Sequence, residues 1–212
     1  MALAGALIVA YLIGAFPSSV VFGRVFRGID VRQHGSGNAG ATNAWRVLGW
    51  RLGVAVLATD LAKGVAATAV VSRIPFGPTP VDAQTLAALC GIVAVVGHVF
   101  PVYIGFRGGK GVATAAGMLI GLLPIPVGIG IGVFAVAVIA SGWISLGSLL
   151  GAWAVPVATL LHPANLRYPP LFLALTFVLA AFITYTHRGN IRRMVAGTER
   201  SFPNLQFWRK RP

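Results

Sequence analysis

From Gly111 to Leu161 the chain runs without one acidic or basic side chain, and nothing else in it limits the choice of fold so strongly. A bilayer takes roughly twenty apolar residues per helical crossing, so this stretch is read as membrane-embedded. The composition extends that reading to all 212 residues, which are 57% hydrophobic and only 10% charged, with a mean hydropathy of +0.82. Apolar runs of helical length recur from one end to the other, and no polar block is large enough to fold alone. A single integral membrane domain, residues 1–212, is expected.

The basic residues orient the runs. Leu3 to Gly23 has no basic residue before it and is followed by Arg24, Arg27 and Arg32, the reverse of a secretory signal peptide. It is predicted to be a retained helix with its N-terminus outside and the segment Arg24 to Arg51 in the cytoplasm. A second helix, about Leu52 to Val71, leads out to a turn-rich loop with Pro75, Gly77, Pro78 and Pro80. A third, about Ala83 to Phe100, returns to the side of Arg107 and Lys110. At the far end Tyr168 or Pro169 to Thr186 is a helix followed by an arginine-rich cytoplasmic tail, so the loop His162 to Pro170 lies outside. Passing from an inside Lys110 to an outside Asn165 takes an odd number of crossings, and about fifty residues at a rise of about 1.5 Å are too many for one. Three fit, with breaks at Pro124 to Pro126 and Ser141 to Ser148. The first, Gly111 to Leu123, is short for a full span and is read as partly re-entrant or as starting within the membrane. The expected fold is all-α, with seven transmembrane helices, cytoplasmic motif loops and a short interfacial C-terminal helix.

Cys90 has no partner in the chain and fits a buried small side chain. The net charge of +13, seventeen Lys and Arg against four acidic residues, favours anionic head groups or an anionic substrate over nucleic acid.

Four polar segments fall on the cytoplasmic side in this topology: Gly35 to Arg51, Pro101 to Lys110, Ser141 to Ser148 and the tail after His187. The first sets Gly35, Gly37 and Gly40 among Ser36, Asn38, Thr42 and Asn43, with Arg46 close behind. Glycines let successive amides face an anion, and hydroxyl and amide side chains add donors; a flexible polar turn is the plainer alternative. The second, GHVFPVYIGFRGGKGVAT at 97–114, places Lys110 at a helix start whose amides also favour negative charge. Its GGKG lacks the GxxxxGK[ST] spacing and a preceding strand, which disfavours nucleotide hydrolysis. The plainer reading is that Arg107 and Lys110 only orient the chain and reach head groups. His98, ending an apolar helix, reads as structural. Asp60 and Lys63, inside the second helix, form an i,i+3 ion pair or brace the site from below. His187 and Asn190 share a helical face with Ile191, Met194 and Val195 alongside, the pattern of a short interfacial helix. Phe202, Phe207, Trp208 and Arg209 to Arg211 read as head-group anchors.

Cations, glycine loops and hydroxyls at a membrane edge suit a ligand with a phosphate at one end and an acyl chain at the other. In GSGNAGATNAWR at 35–46, GHVFPVYIGFRGGKGVAT at 97–114 and HRGNIRRMVAGTE at 187–199, with DLAKG at 60–64 and SLGS at 145–148, the chain resembles the bacterial acyl-phosphate-dependent glycerol-3-phosphate acyltransferases. Arg107 stands where that family commonly has lysine, and Ala39 and Trp45 sit at variable positions. The resemblance implies transfer of a fatty acyl group from acyl phosphate to the 1-hydroxyl of glycerol 3-phosphate, giving lysophosphatidic acid and inorganic phosphate, the first acylation of phospholipid synthesis at the bacterial cytoplasmic membrane. It implies catalytic roles for Ser36, Lys110, His187 and Asn190. Substrate contacts fall to Arg46, Ser148 or Ser145, Asn38, Thr42, Asn43 and Glu199, with Gly108 and Gly109 holding the acyl phosphate.

An acyl phosphate is a mixed anhydride with a good leaving group, so orientation and charge stabilisation suffice and no acyl-serine is expected. The proton acceptor is His187 or the substrate's own phosphate, since no carboxylate is evidently placed to orient His187. No histidine has an Asp five residues on, which excludes the other glycerolipid acyltransferase class. The expected partners are glycerol 3-phosphate, long-chain acyl phosphate and membrane lipids, with no obligate protein partner. No cofactor or metal is expected, because histidines are scattered and carboxylates few. The rival reading is a small transporter or scramblase for phosphorylated metabolites or lipids, which also wants broken helices and basic glycine loops. Its polar groups would gather at the midplane.

Overall fold

The computed structural model describes residues 1–162 and 168–202. Asn165 of the expected outer loop, and Phe207, Trp208 and Arg209 to Arg211 of the expected anchor, lie outside the described residues. Among the described residues there are ten α-helices and three short 3-10 turns, with no strand. The α-helices are α1 (Ala2–Ala15), α2 (Ser18–Arg27), α3 (Ala41–Leu48), α4 (Trp50–Ala69) and α5 (Ala83–Val99), then α6 (Val112–Ile120), α7 (Pro124–Ser141), α8 (Ile144–Leu160), α9 (Pro170–Thr186) and α10 (Arg188–Val195). Three segments, Trp50–Arg73, Ala83–Ile104 and Pro124–Ser141, are long and apolar enough to cross a bilayer, and there are five if each of two bent pairs counts as one span.

Several expected boundaries move for physical reasons. The first run is broken: α1 and α2 meet at Phe16–Pro17 with a 40° bend, because proline has no N–H to continue the ladder and its ring clashes with the preceding turn. The glycine motif at 35–46 is only half loop, since its residues from Ala41 onward form α3. The segment Ser141 to Ser148 is also not a loop throughout. Gly142 takes φ 74 and ends α7, and α8 begins at Ile144, so Ser145 and Ser148 sit on helix. The short apolar piece at 111–123 is a nine-residue helix, about 14 Å long at an α-helical rise and well short of a hydrocarbon core of roughly 30 Å.

The chain divides into two compact units, Met1–Leu122 and the remainder from Leu123. In the first, glycines let helices touch backbone to backbone, the usual route to close packing where lipid is as apolar as the side chains. Gly14 of α1 lies against the Ala94 backbone of α5, and Gly64 of α4 lies against the Thr114 carbonyl of α6, where Gly117 faces Leu61 in return. Around these crossings Ala6, Ala10, Ala67, Val71, Cys90 and Ala94 form one buried cluster. A second, built on Val20, Val31, Ala44, Leu48 and Val56, fixes α3 beside α2 and α4. In the second unit α7 and α8 pair closely through Gly130 and Gly151, and α9 packs on α8.

Candidate functional site

Within the first unit the two glycine motifs are bonded to each other. Asp30 starts the chain's turn into the first motif: its Oδ1 accepts from the Arg32 backbone N–H at 3.0 Å and from Arg32 Nε at 3.1 Å. The hydrogen-bonded Arg32 guanidinium holds the Asp30 carboxyl well below the usual carboxylate range, and Asp30 in turn raises Arg32. So fixed, Arg32 donates from Nη1 to the Ile104 carbonyl at 2.8 Å. Further along, Asn38 Nδ2 donates to the Gly108 carbonyl at 3.4 Å. These two bonds join residues 72 and 70 positions apart.

Asn43 makes the first motif rigid. It is 2% exposed, donates to the Val31 and His34 carbonyls at 2.8 and 3.1 Å, and accepts the Ser36 N–H at 2.7 Å. Its side chain therefore faces the protein backbone and shapes the loop that presents the exposed Ser36. Thr42 and Arg46 lie half-buried on α3. In the second motif Gly108 N–H donates to Val99 O and Gly109 N–H to His98 O, both at 3.1 Å. Lys110 is half-buried just before Gly111, whose φ of 86 starts α6. Arg107 is exposed, and Phe106 takes φ 60, a left-handed conformation that an aromatic residue rarely holds without surrounding constraint.

Behind this loop is a cluster that the sequence only half reveals. Asp60 Oδ1 accepts from Ser18 Oγ at 2.7 Å and pairs with Lys63 Nζ at 2.9 Å; His98 Nδ1 lies 3.6 Å away. The i,i+3 pair is as expected, and His98 is the buried structural histidine foreseen. Ser18 was not foreseen. Its signal was a proline followed by two serines inside an apolar run, which marks a broken helix with polar groups needing partners.

In the second unit α9 bends by 60° into α10 at His187. His187 is 2% exposed, and its Nδ1 lies 2.8 Å from the Ile183 carbonyl. A carbonyl can only accept, so Nδ1 carries the proton there, and whenever the ring is neutral Nε2 is its acceptor nitrogen. The backbone thus does the orienting for which no carboxylate was evident. After α10, Gly197 takes φ 68 and turns the chain back so that Glu199 returns to the helix, a left-handed cap that suits glycine. Glu199 Oε1 accepts from Asn190 Nδ2 at 2.6 Å and from Ser145 Oγ at 2.8 Å, while Oε2 accepts from Arg193 Nε at 2.7 Å. Ser148 instead gives its hydroxyl hydrogen to the Ile144 carbonyl at 2.8 Å. Of the two candidate serines, Ser145 is tied to the tail and Ser148 to its own helix.

Burial opposes the Glu199 charge, but the donors Asn190, Ser145 and Arg193 outweigh it and hold the carboxyl below its ordinary value of 4.5. A carboxylate depressed in this way stabilises the fold fully above its unfolded pKa, and the contribution disappears as pH falls through the folded value. The thermal midpoint of the protein should therefore exceed that of Glu199→Gln above about pH 5, and the gap should shrink as pH falls below the ordinary carboxyl value of 4.5. A gap that stayed constant down to pH 3 would remove the charge from the account.

Among the described residues no group of three or more His, Cys, Asp or Glu could hold a metal ion. In the first unit the two glycine loops lie side by side with Lys110 half-buried at the end of one of them; in the second, His187 is held with one ring nitrogen against the Ile183 carbonyl.

Comparison with known proteins agrees with these motifs. The profile of the glycerol-3-phosphate acyltransferase family matches residues 4–197. A glycerol-3-phosphate acyltransferase of Chlorobaculum tepidum is 43% identical, over 96% of this chain and 97% of its own length. That of Chlorobaculum parvum is 45% identical, over 90% and 92%. Among solved structures, PlsY (YgiH), an integral membrane glycerol 3-phosphate acyltransferase, superposes in its glycerol 3-phosphate form with a TM-score of 0.84 at 32% identity, covering 97% of this chain and 98% of that one. Its lysophosphatidic acid form gives a TM-score of 0.82 at 31% identity.

Proposed function

The chain belongs to the glycerol-3-phosphate acyltransferase family and is a membrane glycerol-3-phosphate acyltransferase; from that premise we propose that acyl phosphate is its donor and the 1-hydroxyl of glycerol 3-phosphate its acceptor. The hydroxyl oxygen attacks the acyl carbon, the ester bond forms, and the bond from acyl carbon to phosphate oxygen breaks. Lysophosphatidic acid and inorganic phosphate leave, the hydroxyl proton ending on the phosphate. The observation that carries this reading is the bonding of the two glycine motifs through Asn38 and Gly108, which sets the Ser36 loop beside the Lys110 loop. Two anion-binding segments side by side suit a reaction with a phosphate on each substrate.

The roles follow from chemistry. Lys110 takes the acyl phosphate and neutralises charge that grows on the leaving oxygen, while Gly108 and Gly109, whose own N–H groups are bonded to the Val99 and His98 carbonyls, shape the loop that holds it. Ser36, Arg46, Asn38 and Thr42 serve glycerol 3-phosphate, and Asn43 acts through the loop it holds. By their place in the family's motifs Asn190, Ser148 and His187 are assigned to glycerol 3-phosphate and its reacting hydroxyl, with Ser145 and Glu199 fixing the tail. His187 Nε2 is suited to take the hydroxyl proton and pass it on; the substrate phosphate is the other acceptor. If His187 is the base, His187→Ala should lower kcat by about a hundredfold. Near-normal kcat with a raised KM for glycerol 3-phosphate would give the proton to the substrate phosphate.

Both units belong to one catalytic domain in this reading, supported by a family profile that spans both. Seven crossings follow if α8 and the short α6, which starts within the membrane or is partly re-entrant, are added to the two bent pairs and three single spans. Arg24 and Arg27 in the last turn of α2, Arg32 after it and the arginines of α10 then lie in the cytoplasm, the N-terminus outside, and the protein in the bacterial cytoplasmic membrane. The α10 helix, basic on one face, fits the membrane interface. The deciding experiment supplies purified protein in detergent with acyl phosphate and labelled glycerol 3-phosphate. Equal release of phosphate and lysophosphatidic acid is expected, and well-folded protein without turnover on acyl phosphate would overturn the donor assignment.

A further inference from the structure

Burying a carboxylate and an ammonium between apolar helices is costly, and well-packed apolar residues in their place are often no less stable. Here Asp60 and Lys63 are 1% and 6% exposed, as is His98 at 6%. Their bonds gather distant parts of the first unit. Ser18 begins α2, Asp60 and Lys63 belong to α4, and His98 belongs to α5. Lys63 Nζ also donates to the Phe16 carbonyl at 3.1 Å, in the break caused by Pro17. What the cluster faces on its far side is the glycine loop. The ring nitrogen Nε2 of His98 occupies the space a Cβ at position 109 would need, and the His98 carbonyl does the same at position 108. The same carbonyl accepts the Gly109 N–H. Lys63, His98, Ser18, Gly108 and Gly109 line one small cleft.

We propose that the buried cluster of Ser18, Asp60, Lys63 and His98 is the positioning device of the 108–110 loop, with the imidazole edge as the stop against which Gly109 rests. Asp60 and Lys63 fix one another, Asp60 faces Nδ1, and the opposite edge of the ring sets how deep the loop lies. Glycine at 109 is then required by the ring, and not only by a ligand. His98 acts through the loop, which under the proposed function holds the acyl phosphate, so the proposal rests on that reading for the substrate it affects.

The test compares His98→Ala, Gly109→Ala, the double variant and the neutral replacement Asp60→Asn with Lys63→Met, each purified in detergent with its thermal midpoint recorded. His98→Ala and the Asp60/Lys63 replacement should raise KM for acyl phosphate about tenfold while KM for glycerol 3-phosphate moves less than about twofold. Gly109→Ala should lose about a hundredfold in kcat/KM, and adding His98→Ala should restore about tenfold of it, because the new methyl fits the room the ring leaves. Should Gly109→Ala not fold, folded protein from the double variant is the same rescue. Losses that simply multiply in the double variant, or folded His98→Ala and Asp60/Lys63 variants with both KM values unchanged, overturn the positioning role. A rise confined to KM for glycerol 3-phosphate supports the device and overturns the assignment of the loop to acyl phosphate.

Discussion

Lys110→Ala is expected to lower kcat/KM for acyl phosphate by about two to three orders of magnitude, the scale seen when one preorganised charge or donor is removed from a developing oxyanion. Lys110 is half-buried at the start of α6, where an anion also meets the free amides of the helix N-terminus. Under the proposed reaction the leaving phosphate gains charge as the acyl bond breaks, so the loss should fall on kcat as well as on KM. Lys110→Arg keeps the charge but spreads it over a wider fork, and should lose about tenfold. Thermal midpoints within about 2 °C of the parent show that the fold is intact. Alanine within threefold of the parent would reduce Lys110 to a head-group contact, the alternative its position in the sequence also permits.

The largest effect on stability is expected at Gly64→Leu. The Thr114 carbonyl of α6 stands where the first carbon of any side chain at 64 would go, and Gly117 faces the Leu61 carbonyl in return. Backbone cannot rotate away as a side chain can, so the two helices must part. Overpacking of this kind costs about 3 kcal/mol or more. The thermal midpoint should drop by about 10 °C, or folded protein should be lost. Because α6 begins just after Lys110, activity should fall with it. Gly128→Ala on α7 is the contrast, for nothing lies within 4 Å of its would-be side chain; there alanine should be neutral or stabilise by up to about 1 kcal/mol. Equal midpoints for the two variants would contradict close packing of α4 on α6.

The sequence by itself determined the class of structure, because apolar runs of bilayer length leave a chain little alternative to helices that satisfy their own backbone. It also marked the polar segments, the Asp60 and Lys63 pair and the shortness of the segment before Leu123, whereas Pro124 to Pro126, expected as a break, form the first turn of α7. These are local features, set by composition, by proline and glycine chemistry and by the period of about 3.6 residues. Only the tertiary structure decided which distant groups meet. Ser18 reaches Asp60 across 42 positions, and Asn43, a candidate ligand by residue type, turns inward to hold the Ser36 loop. The tail carboxylate takes the hydroxyl of Ser145, while Ser148 bonds its own helix. His98 reads as structural in either view, yet its ring meets Gly109 only through the loop that folds back from α5. Such meetings depend on where helices cross, and the crossings depend on glycines opposed on two helices at once, a relation that no window along one strand of sequence contains.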